Sequence, residues 1–123
     1  MKTKILLLLV ALLVSIALQS HAMEKGIFQP PSLEGYTLVQ TKQLDKDNNG
    51  SRETTLEIYA KGKTKLIGKY ITDGKVWGWA IYNDLQNRDD PFKNFSIRDS
   101  SGDGIFNEKY TTTEEYPLPD YLK

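Results

Sequence analysis

Apolar and polar residues alternate in short runs along most of this chain, and residues that favour tight turns separate the runs. The alternation predicts strands at about 36–44, 52–60, 65–72, 75–82, 94–99 and 105–110, with no capped helical period among them. Asn49-Gly50, Gly62, Asp73-Gly74 and Asp103-Gly104 stand at the junctions, where hairpins need residues that tolerate a positive φ. A longer polar link over 83–93 contains Pro91. The expected fold is all-β, a single small antiparallel meander of about six strands.

A two-residue turn at Asp73-Gly74 sets Tyr70 opposite Trp77, Gly68 opposite Trp79 and Leu66 opposite Ile81 on one face, with Gly68 leaving room for an indole. A three-residue turn between Lys61 and Lys65 brings Leu56, Ile58 and Ala60 onto the same face. Ile67, Ile71, Val76 and Ala80 then lie on the other face, so both sides of the sheet need cover. Curling into a partial barrel supplies it, and 27–31 and 116–122 are the candidate covering segments. Both contain proline, which favours extended chain over helix.

The first 22 residues follow a different pattern. Lys2 and Lys4 precede an apolar run over 5–18, and Ser20 and Ala22 put small residues at the third-last and last positions before a cut. That is the form of a cleaved secretory signal peptide, and the run is shorter than the roughly 20 residues a membrane-spanning helix needs. The expected organisation is a signal peptide at 1–22, an extended segment at 23–35, and an antiparallel β domain at 36–123 with a Pro-containing tail. The expected location is secreted or periplasmic.

Composition narrows the chemistry. Removing Lys2 and Lys4 leaves 14 basic residues against 16 acidic ones, too balanced to imply a nucleic-acid partner. His21, the only histidine, leaves with the signal peptide, and the chain has no cysteine. This excludes Ser-His-Asp and Cys-His catalysis, the usual zinc sites and thiol redox chemistry in the exported chain. It also removes the residue to which a lipid anchor would be attached, so no stable membrane anchor is expected after cleavage. The fold needs no disulfide, although an oxidising compartment would allow one.

Two acidic segments resemble the opening of an EF-hand-type calcium loop, which sets oxygen ligands at positions one, three and five, glycine at six and a carbonyl at seven. In the first, Asp99, Ser101, Asp103, Gly104 and Ile105 occupy those places, and Glu108 is the candidate to complete the shell. Tyr110 stands at position twelve, where the bidentate Glu belongs, so weak binding of Ca2+ is expected. The second loop offers Asp45, Asp47, Asn49 and Ser51, with Glu53 completing it and Leu56 at position twelve. The same residue types also build ordinary hairpin turns.

Trp77, Trp79 and Tyr82 form a candidate binding surface, because aromatic faces give contact area with little entropy loss; alternating aromatics in a central strand also serve as core. Lys61, Lys63, Lys65 and Lys69 read as a solvated hairpin and edge protection. Asp84, Asp89 and Asp90 are the remaining carboxylates for hydrolysis of an envelope polymer, which needs two acids across a cleft. The leading expectation is an exported, non-enzymatic β module that binds calcium weakly and recognises a protein or glycan at the cell envelope. An ion-independent interaction or inhibitor protein and a carboxylate-based hydrolase are the alternatives.

Overall fold

The computed structural model describes residues 23–46, 50 and 53–111. The expected signal peptide, the segment 116–122, and Asp47, Asn49 and Ser51 of the second acidic loop lie outside the described residues.

The fold is all-β. Seven strands, β1 (Met23–Phe28), β2 (Thr37–Leu44), β3 (Thr54–Lys61), β4 (Lys65–Thr72), β5 (Lys75–Tyr82), β6 (Asn94–Arg98) and β7 (Phe106–Tyr110), form one sheet. All pairings are antiparallel in the order β1-β7-β6-β5-β4-β3-β2, and the sheet is not closed into a barrel. β2 to β7 fall where the alternation predicts strands. β1 is an addition: the extended segment pairs with β7 at the edge, Met23 opposite Tyr110 and Lys25 opposite Glu108.

Turn chemistry fixes most of the register. Asp73 and Gly74 both have positive φ (53° and 77°), the two-residue turn whose twist matches antiparallel strands. Gly62, Lys63 and Thr64 make the three-residue turn between Lys61 and Lys65, so Leu56 faces Tyr70, Ile58 faces Gly68 and Ala60 faces Leu66, as expected.

Between β4 and β5 the expected register holds only as far as Ile71 opposite Val76. It then shifts by one, so that Tyr70 lies opposite Gly78, Lys69 opposite Trp79 and Ile67 opposite Ile81, leaving Trp77 as the extra residue of a β-bulge. Because side chains alternate with period two, the shift sends the two indoles to opposite faces. Trp79 joins Ile67, Ile81, Ile97 and Phe106 in one buried cluster, while Trp77 joins Tyr70 and Ala80 in the other. Gly68 accordingly faces Leu56, not an indole: a Cβ there would lie 3.1 Å from Leu56 Cδ1 and 3.5 Å from the Ala80 Cβ.

The Trp79 cluster is covered by Phe28, Leu33 and Tyr36, so the chain between β1 and β2, which joins opposite edges of the sheet, crosses this face. Both edge strands carry a register break, between Lys25 and Phe28 in β1 and between Leu38 and Gln40 in β2, and β2 is exposed along all but its last residue. Bulges of this kind discourage edge-to-edge pairing. The lysine-rich hairpin is internal to the sheet, so edge protection comes from these breaks instead.

Candidate functional site

The face that carries Trp77 holds a trough. Strand pairing aligns Tyr110, Ser96, Ala80, Gly68 and Ile58 in one row across β7, β6, β5, β4 and β3. The three middle positions are small, so their row is a floor, and larger side chains in the rows on either side stand as walls. Tyr70 and Leu56 form one wall; Tyr82 and Leu66, opposite each other in β5 and β4, form the other. Lys42 from β2 and Arg88 from the link after β5 complete a lining that encloses about 330 Å³. That is at the small end of ligand pockets, room for a few side chains of a longer partner.

Cations flank this apolar surface. Arg88 stacks over the Tyr82 ring at 5.4 Å and Lys46 over the Tyr70 ring at 5.6 Å, using the negative faces of the two aromatic walls. Of the aromatic surface expected from sequence, only Tyr82 borders the trough. Trp77 is 0% exposed and Trp79 7%, so neither presents a stacking face.

Of the calcium set, Asp99, Ser101 and Asp103 come together, with the Asp103 carboxyl within hydrogen-bond reach of the Ser101 and Asp99 side chains, while the Glu108 carboxylate is held by Arg98. The Asp99 carboxylate is buried and closed by the loop's own backbone: Oδ1 accepts from the Ser101 and Gly102 amides (3.2 and 2.8 Å), Oδ2 from the Gly104 amide (2.9 Å). Asp103 accepts from the Ile105 amide at 3.0 Å, and chiefly for that reason its carboxyl sits below its ordinary value. Asn107 closes the loop from the far side, accepting from the Ser100 amide and hydroxyl, each at 3.1 Å.

Glu108 is engaged elsewhere. Its Oε1 accepts from Arg98 Nε (2.8 Å), Arg98 Nη2 (2.7 Å) and the Tyr110 hydroxyl (2.8 Å), and its Oε2 faces Lys25 Nζ at 3.3 Å. Among the described residues no three acidic side chains come together in the way a metal shell requires. In the second loop Asp45 Oδ2 accepts from the Gly50 amide at 2.7 Å, while Glu53 accepts from the Lys46 amide at 3.2 Å.

The Glu108 cluster sets a pH dependence. Burial pushes the Glu108 carboxyl up, but the Tyr110 hydroxyl, Arg98 and Lys25 outweigh it and leave the group below its ordinary value of 4.5. Folding therefore favours the ionised form. The stabilisation is complete above the ordinary value and is lost as pH falls through the lower, folded one. Tyr110 shows the opposite case: burial and Glu108 push its phenol up to about 12, so its contribution is complete below the ordinary value of 10.0 and is lost as pH rises. Glu108→Gln, which removes the charge that Arg98 meets at 2.7 Å, is expected to cost about 2–4 kcal/mol at neutral pH and to flatten the acid limb of the stability profile. Urea unfolding between pH 3 and 8 measures both, and an unchanged acid limb would contradict the assignment.

Asp84 and Asp90 of the 83–93 link are turn-building groups. Asp84 caps the 3₁₀ turn Leu85–Asn87, accepting from the Gln86 amide (3.1 Å) and Asn87 Nδ2 (2.9 Å), with Lys93 Nζ at 3.4 Å. Asp90 accepts from the Phe92 amide at 2.9 Å. Buried Asn94 ties the link to the sheet, its Nδ2 donating to the carbonyls of Asp84 (3.1 Å) and Asn87 (2.6 Å).

The trough residues Lys42, Leu56, Ile58, Leu66 and Arg88 carry no motif. Their only trace in sequence is the pairing of small Gly68 with small Ala80 between larger neighbours, and that becomes visible only once the bulge is known. No family model, curated protein or solved structure matches this chain.

Proposed function

We propose that this chain is an exported, non-enzymatic and ion-independent binding module that takes an extended, apolar and acidic peptide segment into the trough. The observation that carries this reading is the trough itself, an apolar furrow across the strands with Lys42 and Arg88 in its lining. Alternating apolar side chains of an extended partner match the small floor positions, and carboxylates match the cations. A peptide is favoured over a glycan because Leu56, Ile58, Leu66 and Ala80 offer no polar side-chain atoms for sugar hydroxyls. The acidic loops support the ion-independent form, since Asp99 serves the backbone of its own loop and Glu108 serves Arg98.

The test is titration of residues 23–123, which contain the whole described sheet, with an acetylated six-residue peptide of alternating leucine and glutamate. Saturable binding is expected, weakened at least tenfold by Lys42→Glu combined with Arg88→Glu. Both positions are exposed, so the fold should tolerate the exchange. Equal affinity for the wild-type and charge-reversed chains would contradict the reading.

A further inference from the structure

Gly68 lies in the middle of β4, a strand paired on both sides, where glycine weakens a sheet because it has the most backbone freedom to lose and no side chain to pack. A strand glycine of this kind marks a bulge, a tight bend at a barrel corner, or a place that another group approaches closely. The first two do not apply. Pairing is regular here, with Ile58 opposite Gly68 on one side and Ala80 on the other, and the register break lies beyond Tyr70. Gly68 lacks the positive φ of Gly62 and Gly74 in the turns at either end of its strand, and the sheet is not closed into a barrel.

Packing does not demand the glycine either. An added Cβ would lie 3.5 Å from the Ala80 Cβ, an ordinary contact, and 3.1 Å from Leu56 Cδ1, a flexible methyl that has only to give by a few tenths of an ångström. Alanine is therefore compatible with the fold, and what the glycine leaves open is space in the trough. That space is bounded by Leu66 and Tyr70 along β4, by Leu56 and Ile58 of β3 and by Ala80 of β5. The bulge at Trp77 helps to make it, since unbroken pairing would set Trp79 beside Gly68 where Ala80 now stands. A lining of this kind rewards an apolar occupant and penalises a polar one.

We infer that Gly68 is the specificity-determining residue of the trough: its missing side chain admits a leucine-sized aliphatic side chain of the bound peptide at the floor and selects it over a shorter one. This role rests on the trough being a peptide site, and its failure is separable from failure of that reading. Selection comes from filling the space, and one methylene more or less in an apolar pocket changes affinity by roughly tenfold or more.

The experiment compares chain 23–123 with its Gly68→Ala variant, each titrated with the acetylated alternating leucine-glutamate peptide and with the valine-glutamate peptide of the same length. The wild type is expected to prefer the leucine peptide by about tenfold. Gly68→Ala, which puts a methyl into the space, is expected to keep its urea midpoint and to lose or invert that preference. An unchanged preference, or loss of both peptides alike, overturns the role of Gly68 and leaves the peptide site standing. A variant that no longer folds overturns it too, because the glycine would then be a requirement of packing. Equal binding of both peptides to the wild type overturns the selection by size. No saturable binding of either peptide to the wild type overturns the peptide site itself.

Discussion

Asp99→Ala is expected to destabilise the fold by about 2–4 kcal/mol, by the same amount in chelator as in millimolar calcium. Three amides, those of Ser101, Gly102 and Gly104, converge on this one buried carboxylate. Removing it orphans all three, at roughly 1–3 kcal/mol for each donor that stays buried and less for those that reach water. The loop is also anchored by its root, where the Asp99 amide donates to the Trp77 carbonyl at 2.9 Å, so disorder there spreads into the bulge. Thermal unfolding of chain 23–123 and the variant, each with calcium and with chelator, decides the matter. A cost that appears only when calcium is present would make the loop an ion site and overturn the ion-independent reading.

Trp77→Ala is expected to cost about 3–5 kcal/mol, against a total stability of about 5–15 kcal/mol for a domain of this kind. The indole is fully buried, stacks at a tilt on Tyr70 with ring centroids 5.2 Å apart, and donates from Nε1 to Thr72 Oγ1 at 3.0 Å. That hydroxyl in turn pairs with Thr54 Oγ1 at 2.9 Å, and both threonines are buried. Trp79 has no such partner: among the described residues its buried Nε1 meets no acceptor. Phenylalanine therefore separates the two positions. Trp77→Phe breaks the chain of hydroxyl bonds, whereas Trp79→Phe removes a donor that was already unmet, so the first is expected to cost about 1–2 kcal/mol more than the second. Urea titration of the two variants measures the difference, and equal costs would contradict the role given to the Trp77 to Thr72 bond.

The same two indoles mark how far the sequence could be read. Strand limits were legible because glycine, asparagine and aspartate punctuate the alternation, and the Asp73-Gly74 and three-residue turns imposed their expected local pairings. The bulge at Trp77 was not legible from periodicity, since one extra residue leaves the alternation of residue types unchanged while exchanging the faces. Gly78 inside a strand was the available signal, as an isolated strand glycine often marks a bulge. β1 was missed because Met23–Phe28 is a mostly exposed edge strand in which only the two end residues are part-buried, too few to create a pattern. The candidate site depended on both. Which side chains share the trough is the product of successive registers, and Glu108, assigned to the loop by its place in sequence, spends its carboxylate on Arg98, Tyr110 and Lys25.

Methyl chemical-shift mapping of chain 23–123 during titration with the leucine-glutamate peptide tests the peptide-binding reading most directly. The two faces of the sheet carry separate sets of methyls, so the answer is spatial as well as quantitative. The predicted result is saturable perturbation of Leu56, Ile58, Leu66 and Ala80, with Ile67, Ile81 and Ile97 of the opposite face unmoved. Perturbation confined to that opposite face, or no saturable perturbation at all, would contradict a peptide site in the trough.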